Sequence, residues 1–210
     1  MTSPSAPQPT AQTECSQPPA ARTFPVHHHP TSSAPAPQLR LETLLVRSGT
    51  GTDPATGAIT TPIHLSTAYG HPGLGESTGY DYTRTASPTR DVLQDALARL
   101  EGGTAAFALS SGMAALELVT RTLAPHGSRI VALRDLYGGS FRFLEVLAEE
   151  GAARVDFVLG LEGLRGALAD PADLVIIETP TNPMMEEISI PEAAELAHAA
   201  GARLVVDNTF

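Results

Sequence analysis

Short apolar runs alternate with helical patterns from residue 88 to the end of the chain. Pro88 follows Ser87, a good N-cap, and apolar positions then recur at helical spacing as far as Gly102 and Gly103. The pattern predicts strands at 105–109, 129–133, 154–158, 173–178 and 203–207, and helices at 113–124, 139–150, 161–169 and 191–200. Apolar strands that alternate with helices predict an α/β fold with a mostly parallel sheet covered on both faces.

The residues before this alternation divide into two segments. Residues 39–87 predict an N-terminal arm: a short helix that ends near Gly49, then an extended stretch rich in Gly, Thr and Pro. Residues 1–38 are rich in Pro, Ala and Ser, and we expect them to be disordered because they offer too little apolar surface to offset their ordering entropy. This tail has no secretory signal pattern; a targeting segment, a tail without function and a misplaced start remain open interpretations.

Composition narrows the possible partners. The formal net charge is −10 and no basic cluster stands out, so a nucleic-acid or membrane partner is not expected. Cys15 is the single cysteine, which excludes a disulfide framework within the chain. The three histidines at 27–29 lie in the tail and do not predict a fixed metal site. We expect small-molecule partners and a reducing, cytoplasmic setting. All 13 basic residues are arginine, so the chain contains no lysine.

The residues just after each strand carry the candidate chemistry, because ligands of parallel sheets bind beyond the carboxyl ends of the strands. "SSGM" (110–113) joins a strand to a helix and provides either a phosphate seat or a turn capped by Ser111. The sequence has neither GxGxxG nor GxxxxGK[ST], so the usual marks of dinucleotide and triphosphate binding are absent. Asp207, in "VVDNTF", is either a local cap or an anion for a cationic ligand atom. Asn182, in "ETPTNP", either fixes a ligand oxygen or closes a turn.

Together with the ring of Tyr137 in "DLYGGS", these features suit one kind of ligand. It is flat and phosphorylated, and it carries a ring nitrogen that gains by protonation. Pyridoxal phosphate has these properties, and an acidic partner on its ring nitrogen strengthens it as an electron sink. An unrelated doubly wound phosphate-binding module is the other interpretation of the same pattern.

Six motifs in order resemble the transsulfuration family of pyridoxal-phosphate enzymes, and bacterial cystathionine γ-synthases in particular. They are "TTPIHLSTAY", "GYDYTRTASPTRDVLQDALARLEGG", "SSGMAA", "DLYGGS", "ETPTNP" and "VVDNTF". The resemblance runs from about Leu41 to Phe210. It implies the three-layer, mostly parallel sheet of the fold-type I, aspartate aminotransferase-like class, here incomplete at its carboxyl end, and pyridoxal 5′-phosphate as cofactor.

The resemblance also implies a role for individual residues. Tyr137 matches the tyrosine whose ring stacks on the cofactor, and it is the catalytic candidate within this chain. Gly112 and Met113 match backbone donors to the phosphate. Asp207 matches the partner of the pyridine nitrogen, and Asn182 matches the residue near the ring oxygen.

Three more residues are carried over as cofactor-binding. Thr209 follows Asp207 in the same motif. Tyr82 and Arg84, in "YDYTR", match a pair that reaches the phosphate of a neighbouring subunit, which suits the paired hydrogen bonds of a guanidinium. The resemblance therefore implies a homo-oligomer, usually a tetramer. Ser87 stands where the family usually has asparagine, and because serine also caps helices we expect a small effect.

A second departure from the family's sequence pattern has a larger consequence than the one at Ser87. The family's lysine, which holds the cofactor as a Schiff base, lies beyond "DNTF", and no residue of this chain can replace it. We therefore expect residues 88–210 to be the first part of the cofactor-binding domain, and the 210-residue chain alone to be inactive.

The activity that the resemblance implies for an intact enzyme is γ-replacement on an O-acylhomoserine with cysteine, in methionine biosynthesis. Cystathionine β- or γ-lyase, methionine γ-lyase and O-acylhomoserine sulfhydrylase are the alternatives within the family. A different class of function also remains open: a truncated, non-catalytic chain that only binds or pairs with a partner chain.

Overall fold

Four parallel strands and six helices make up the regular structure of the described chain. The computed structural model describes residues 39–51, 53 and 55–210. The elements are α1 (Leu41–Arg47), α2 (Pro88–Leu100), α3 (Gly112–Leu123), β1 (Ser128–Leu133), α4 (Gly138–Glu149), β2 (Ala153–Val158), α5 (Gly160–Ala167), β3 (Leu174–Glu178), α6 (Ile190–Ala199) and β4 (Arg203–Asp207). From α2 onward these bounds agree with the predicted elements to within two residues, except that the predicted strand at 105–109 is missing.

The prediction of a strand at 105–109 was wrong for this structure. The segment has strand-like composition but pairs with no other strand among the described residues, and the Phe107 side chain is 72% exposed. An apolar run becomes a strand only where a neighbouring backbone accepts and donates its hydrogen bonds, and local sequence does not supply that neighbour.

The order of the strands creates a switch point in the sheet. The order is β2-β1-β3-β4, and every pairing is parallel. The connection through α4 therefore runs from β1 towards one edge, whereas the connection through α6 runs from β3 towards the other. Because such crossovers are right-handed, the helices before and after the switch cover opposite faces. The carboxyl ends of β1 and β3 diverge there, and this is where open α/β sheets bind ligands.

The core lies between this sheet and its helices. All five residues of β3 are buried, and Ile130, Leu144, Leu164 and Ile176 are each at most 1% exposed. Near-continuous apolar strands of this kind are typical of a parallel sheet covered on both faces. The predicted α/β class is confirmed.

β4 is less buried than its sequence suggested. It is apolar, and Asp207 was expected to end a buried strand, yet Leu204, Val205 and Val206 are only half-buried. The reason is topological, since β4 pairs with β3 on one side and has no partner on the other among the described residues.

The described residues were compared with what a membrane-spanning helix and a metal site require. None of the helices in the described residues is long and apolar enough to cross a bilayer. Within the same residues no group of three or more His, Cys, Asp or Glu side chains is placed to hold a metal ion. The histidines at 27–29, Cys15 and the whole of the predicted tail lie outside the described residues.

Candidate functional site

A cavity of about 350 Å³ opens beyond the carboxyl ends of β1, β3 and β4. Its volume is within the range usual for small-molecule sites. Six of the eight residues predicted for the site line it: Gly112, Met113, Tyr137, Asn182, Asp207 and Thr209. The sheet thus brings together residues that are nearly 100 positions apart in sequence, because each follows a strand or opens a helix at the same edge.

The amino end of α3 contributes free backbone donors to this cavity. The Ser111 hydroxyl accepts a hydrogen bond from the Ala114 amide at 3.1 Å, so the serine does cap the helix. The amides of Gly112 and Met113 precede the first intrahelical bond, and neither donates a hydrogen bond within the described residues. Two open N–H groups at the positive end of a helix suit a phosphate or other anion, so the cap and the anion seat coexist.

The ring of Tyr137 lies against the start of α4. Tyr137 occupies the N-cap position, and its side chain is 46% exposed. A Cβ atom on Gly139 would come within 2.5 Å of Tyr137 Cε1 and 3.0 Å of Met113 Sδ. The absence of a side chain at Gly139 therefore leaves room for the aromatic ring beside Met113, and Tyr137 lines the cavity.

Glu178 closes β3 and is the most buried acidic group of the site. It is only 3% exposed, and its carboxylate accepts hydrogen bonds from the amide of Tyr137 at 2.7 Å and from the amide of Asn182 at 2.9 Å. Burial, followed by the nearby charge of Asp207, raises the pKa of Glu178 above its ordinary value despite these two donors.

The two carboxylate oxygens of Asp207 differ in their hydrogen bonding. Oδ1 accepts from the Thr209 amide at 3.1 Å and from the Thr209 hydroxyl at 2.5 Å. Oδ2 accepts no hydrogen bond, and no arginine or histidine pairs with the group, within the part of the chain that the structure describes. Asp207 therefore serves as a local cap, as one interpretation required, and still presents a free anionic oxygen at the cavity.

The side chain of Asn182 does not close its own loop. Thr181 does that, because its amide donates to the Glu186 carbonyl and its hydroxyl accepts from the Glu186 amide and donates to Asp135. No hydrogen bond from the Asn182 side chain occurs among the described residues, and the residue lines the cavity. The interpretation as a turn-closing side chain is not supported.

The other two predicted site residues lie elsewhere. Tyr82 and Arg84 are exposed in a turn of the arm and do not line the cavity. The guanidinium carbon of Arg84 lies 4.8 Å from the centroid of the Tyr82 ring, a cation–π contact. Arg84 forms no salt bridge within the described residues, so its charge faces solvent.

Sequence reasoning missed three residues of the cavity wall: Ser140, Glu178 and Phe210. Ser140 lies in the first turn of α4, is buried, and lines the cavity. For Glu178 the signal was present, since an ionisable residue that ends an apolar strand needs partners just as Asp207 does. For Ser140 the helical pattern alone gave no signal.

A larger and more apolar cleft lies beside the site. Its volume is about 670 Å³, and it separates α3 and residues 105–109 from β4. Asp207 and Thr209 stand at its rim, but its walls are chiefly aliphatic. The smaller cavity, where free amides, an aromatic ring and two carboxylates converge, is the better candidate for chemistry.

Comparison with solved structures defines the class of protein. The crystal structure of cystathionine gamma synthase from Xanthomonas oryzae pv. oryzae in complex with aminoacrylate and cysteine superposes with a TM-score of 0.76 at 40% sequence identity, over 81% of this chain and 44% of that one. The fold is that of the fold-type I, pyridoxal-phosphate-dependent enzymes, as the sequence predicted.

The chain belongs to the Cys/Met metabolism PLP-dependent enzyme family, whose profile matches residues 42–210. It is 43% identical over 176 residues to cystathionine gamma-synthase of Haemophilus influenzae (82% of this chain, 47% of that protein). It is 46% identical over 170 residues to the Escherichia coli cystathionine gamma-synthase (80% and 44%). Cystathionine β-lyases and γ-lyases also match, at 37% identity.

These comparisons confirm the predicted family and its cofactor, pyridoxal phosphate. The chain spans about half the length of the curated relatives it matches.

Proposed function

We propose that the 350 Å³ cavity holds the phosphopyridoxal group, and that this chain supplies most of its non-covalent cradle. The observation that carries the proposal is the meeting of three features in one cavity: free amides on α3, the Tyr137 ring over Gly139, and the free Oδ2 of Asp207. Each feature matches a different part of the cofactor, namely its phosphate, its flat ring and its ring nitrogen.

The chain's own residues would then act as follows. Gly112 and Met113 donate their amides to phosphate oxygens at the positive end of α3. Tyr137 covers one face of the ring and excludes water from it. Asn182 donates its side-chain amide to the ring oxygen. Asp207 holds a proton on the ring nitrogen through Oδ2.

Thr209 is the support for that last contact. Its amide and hydroxyl both donate to Oδ1 of Asp207, which fixes the carboxylate and leaves Oδ2 directed to a partner. When bound, pyridoxal phosphate supplies an electron sink that stabilises negative charge on the carbons of an amino-acid substrate, and a protonated ring nitrogen strengthens that sink.

The reaction we propose for the whole protein is γ-replacement on an O-acylated homoserine with cysteine, which forms cystathionine. Support comes from the higher identity to cystathionine γ-synthases, 43–46%, than to cystathionine lyases, 37%. The lyase reactions, methionine γ-elimination and sulfhydrylation remain candidates, because the residues lining the cavity serve the cofactor and not the choice of sulfur donor.

The native protein, loaded with pyridoxal phosphate, tests this choice directly. Incubation with an O-acylhomoserine and cysteine should yield cystathionine, and incubation with cystathionine alone should release little ammonia or keto acid. Rapid elimination from cystathionine, with no product that joins the two substrates, would reassign the protein to the lyases.

Assembly and location are part of the same proposal. We infer a homo-oligomer, a tetramer built from dimers, in which Tyr82 and Arg84 of one subunit reach the phosphate of the next, and a cytoplasmic setting. The exposed position of both side chains, outside the cavity of their own subunit, supports the first inference. Sedimentation of wild type and Arg84→Gln in the presence of the cofactor would test it.

A further inference from the structure

Glu178 lies at the switch point of the sheet, between β1 and β3. It is the last residue of β3, beside β1, where the chain crossovers turn in opposite directions. Tyr137 belongs to the loop after β1, and Asn182 to the loop after β3. A group at this position can therefore bind both loops of the ligand crevice at once.

The carboxylate uses both oxygens for that purpose. Oε2 accepts from the Tyr137 amide at 2.7 Å, and Oε1 accepts from the Asn182 amide at 2.9 Å. No cation pairs with Glu178 among the described residues, so these amides are the partners that compensate its burial. Hydrogen bonds from an amide to a charged acceptor are stronger than those to a neutral one.

The two amides belong to residues with complementary positions in the cavity. Tyr137 provides the aromatic ring, and Asn182 provides a side-chain amide without a partner among the described residues. One carboxylate, that of Glu178, therefore links the two residues across the cavity. A second contact, from the Thr181 hydroxyl to Asp135, ties the same two loops together but touches neither residue.

We propose that Glu178 is a positioning residue that sets the aromatic ring of Tyr137 and the amide of Asn182 in register with the same flat ligand. This inference rests on the proposed function, since the ligand is the phosphopyridoxal group. Glu178 itself acts through the two backbone amides and needs no contact with the ligand.

The substitution Glu178→Gln separates this role from simple filling of space. Glutamine has the same shape, but one of its two acceptor oxygens becomes an NH₂ group, which would face a backbone N–H. One of the two loops must then release its hydrogen bond. Glu178→Asp keeps both acceptors and the charge but is one methylene shorter.

The experiment measures binding of deoxypyridoxine phosphate, which has no aldehyde and so requires no lysine, by calorimetry and by the circular dichroism of the bound pyridine ring. Wild type should bind with an induced signal from the adjacent tyrosine ring. Glu178→Gln should lose roughly tenfold or more in affinity, together with most of that signal. Glu178→Asp should restore part of both. Glu187→Gln, an exposed glutamate of the loop after β3, is the matched control and should bind as wild type does.

A double-mutant cycle distinguishes positioning from general destabilisation. If Glu178 acts through Tyr137, the losses from Glu178→Gln and Tyr137→Ala will be strongly non-additive. Additive losses, or unchanged affinity and dichroism in Glu178→Gln, would overturn the proposal. Failure of wild type to bind the analogue would instead contradict the proposed cofactor site.

A measurement on the wild-type chain keeps the inference testable if the substituted chains do not fold. The amide proton shifts of Tyr137 and Asn182 should follow one common titration, that of Glu178. Its midpoint should be higher than the ordinary pKa of glutamate, because burial and the charge of Asp207 raise the pKa of Glu178. Asp135 and Asp207 are the titratable carboxylates that act on Glu178, and Asp135→Asn and Asp207→Asn should each lower that common midpoint. Separate midpoints for the two amides, or no titration of either, would contradict the proposal that the Glu178 carboxylate holds both amides.

Discussion

The sheet region, residues 128–207, and the arm, residues 39–87, differ in how far they bury their apolar side chains. In the sheet region all of β3 is buried, and loops from three strands meet at one cavity. Among the described residues of the arm only Ser87 is buried, while Ile59, Ile63, Leu65 and Leu74 are each more than 70% exposed. The sheet region thus forms a buried core and half of the residues that line the cavity, whereas the described residues of the arm add to neither.

The arm is nevertheless anchored. The rings of Tyr69 and Tyr80 lie 5.4 Å apart, and the Tyr80 hydroxyl donates to Asp91 of α2 at 2.9 Å. The His64 amide donates to the Thr89 hydroxyl at 2.9 Å. An arm that is fixed at α2 but exposes its apolar side chains and the Arg84 charge is better suited to contact another surface than to support its own core.

The largest expected effect distinguishes the buried core of the sheet region from the exposed apolar residues of the arm. Ile176→Asp would place a carboxylate in the sheet, where the side chain is 1% exposed, and should cost roughly 4 kcal/mol or more in unfolding free energy. Ile63→Asp, at a side chain 77% exposed, should change it by less than about 0.5 kcal/mol. Urea denaturation followed by circular dichroism measures both. Similar losses for the two variants would mean that the arm has a core of its own.

The second-largest effect is expected at the Asp207 carboxylate, at the end of β4. Asp207→Asn removes the charge of the free oxygen and should weaken binding of deoxypyridoxine phosphate by roughly tenfold to a hundredfold. Asp170→Asn is the control, because that side chain is exposed and lies outside the cavity. If both variants bind like wild type, Asp207 is a cap for Thr209 and nothing more.

A smaller effect is expected at the seat of the tyrosine ring. Gly139→Ala forces a methyl group to within 2.5 Å of the Tyr137 ring, and we expect about tenfold weaker binding of the same analogue. The matched control is Gly138→Ala, whose methyl group would meet only the flexible end of Arg142 at 3.2 Å. Both substitutions raise the helix propensity of α4, and in Gly139→Ala this gain offsets part of the cost of the close contact. Equal affinities in the two variants would remove the argument for a ring seat.

The smallest effect tests the arm. In dilute, single-subunit protein, Arg84→Gln should change analogue affinity by less than about twofold, because the guanidinium is exposed and outside the cavity. At concentrations where subunits associate, the same variant should bind more weakly than wild type. A large loss in the single subunit would place Arg84 in the site of its own chain.

Much of the fold could be predicted because the pattern and the packing agree. The strands that became β1 to β4 are apolar and bounded by glycine or polar turns, and each found a parallel neighbour. The run at 105–109 has the same local character but no partner strand, so the prediction failed there. The site residues also differ in how far local sequence predicts them. Tyr137 and Asp207 could be predicted because they are aromatic or polar residues at the ends of strands. Ser140 could not, because it lies within a helical pattern that does not distinguish it.

The sequence by itself determined the class of fold, the family and the identity of most residues around the cavity, because strand ends in a parallel sheet share one edge. Only the tertiary structure decided how those residues are held. The pairing of β1 with β3 brings two distant amides to the carboxylate of Glu178, and the bare Cα of Gly139 lets the Tyr137 ring lie beside Met113. These contacts depend on strand order and on distances of a few tenths of an ångström, which no local pattern of residues encodes.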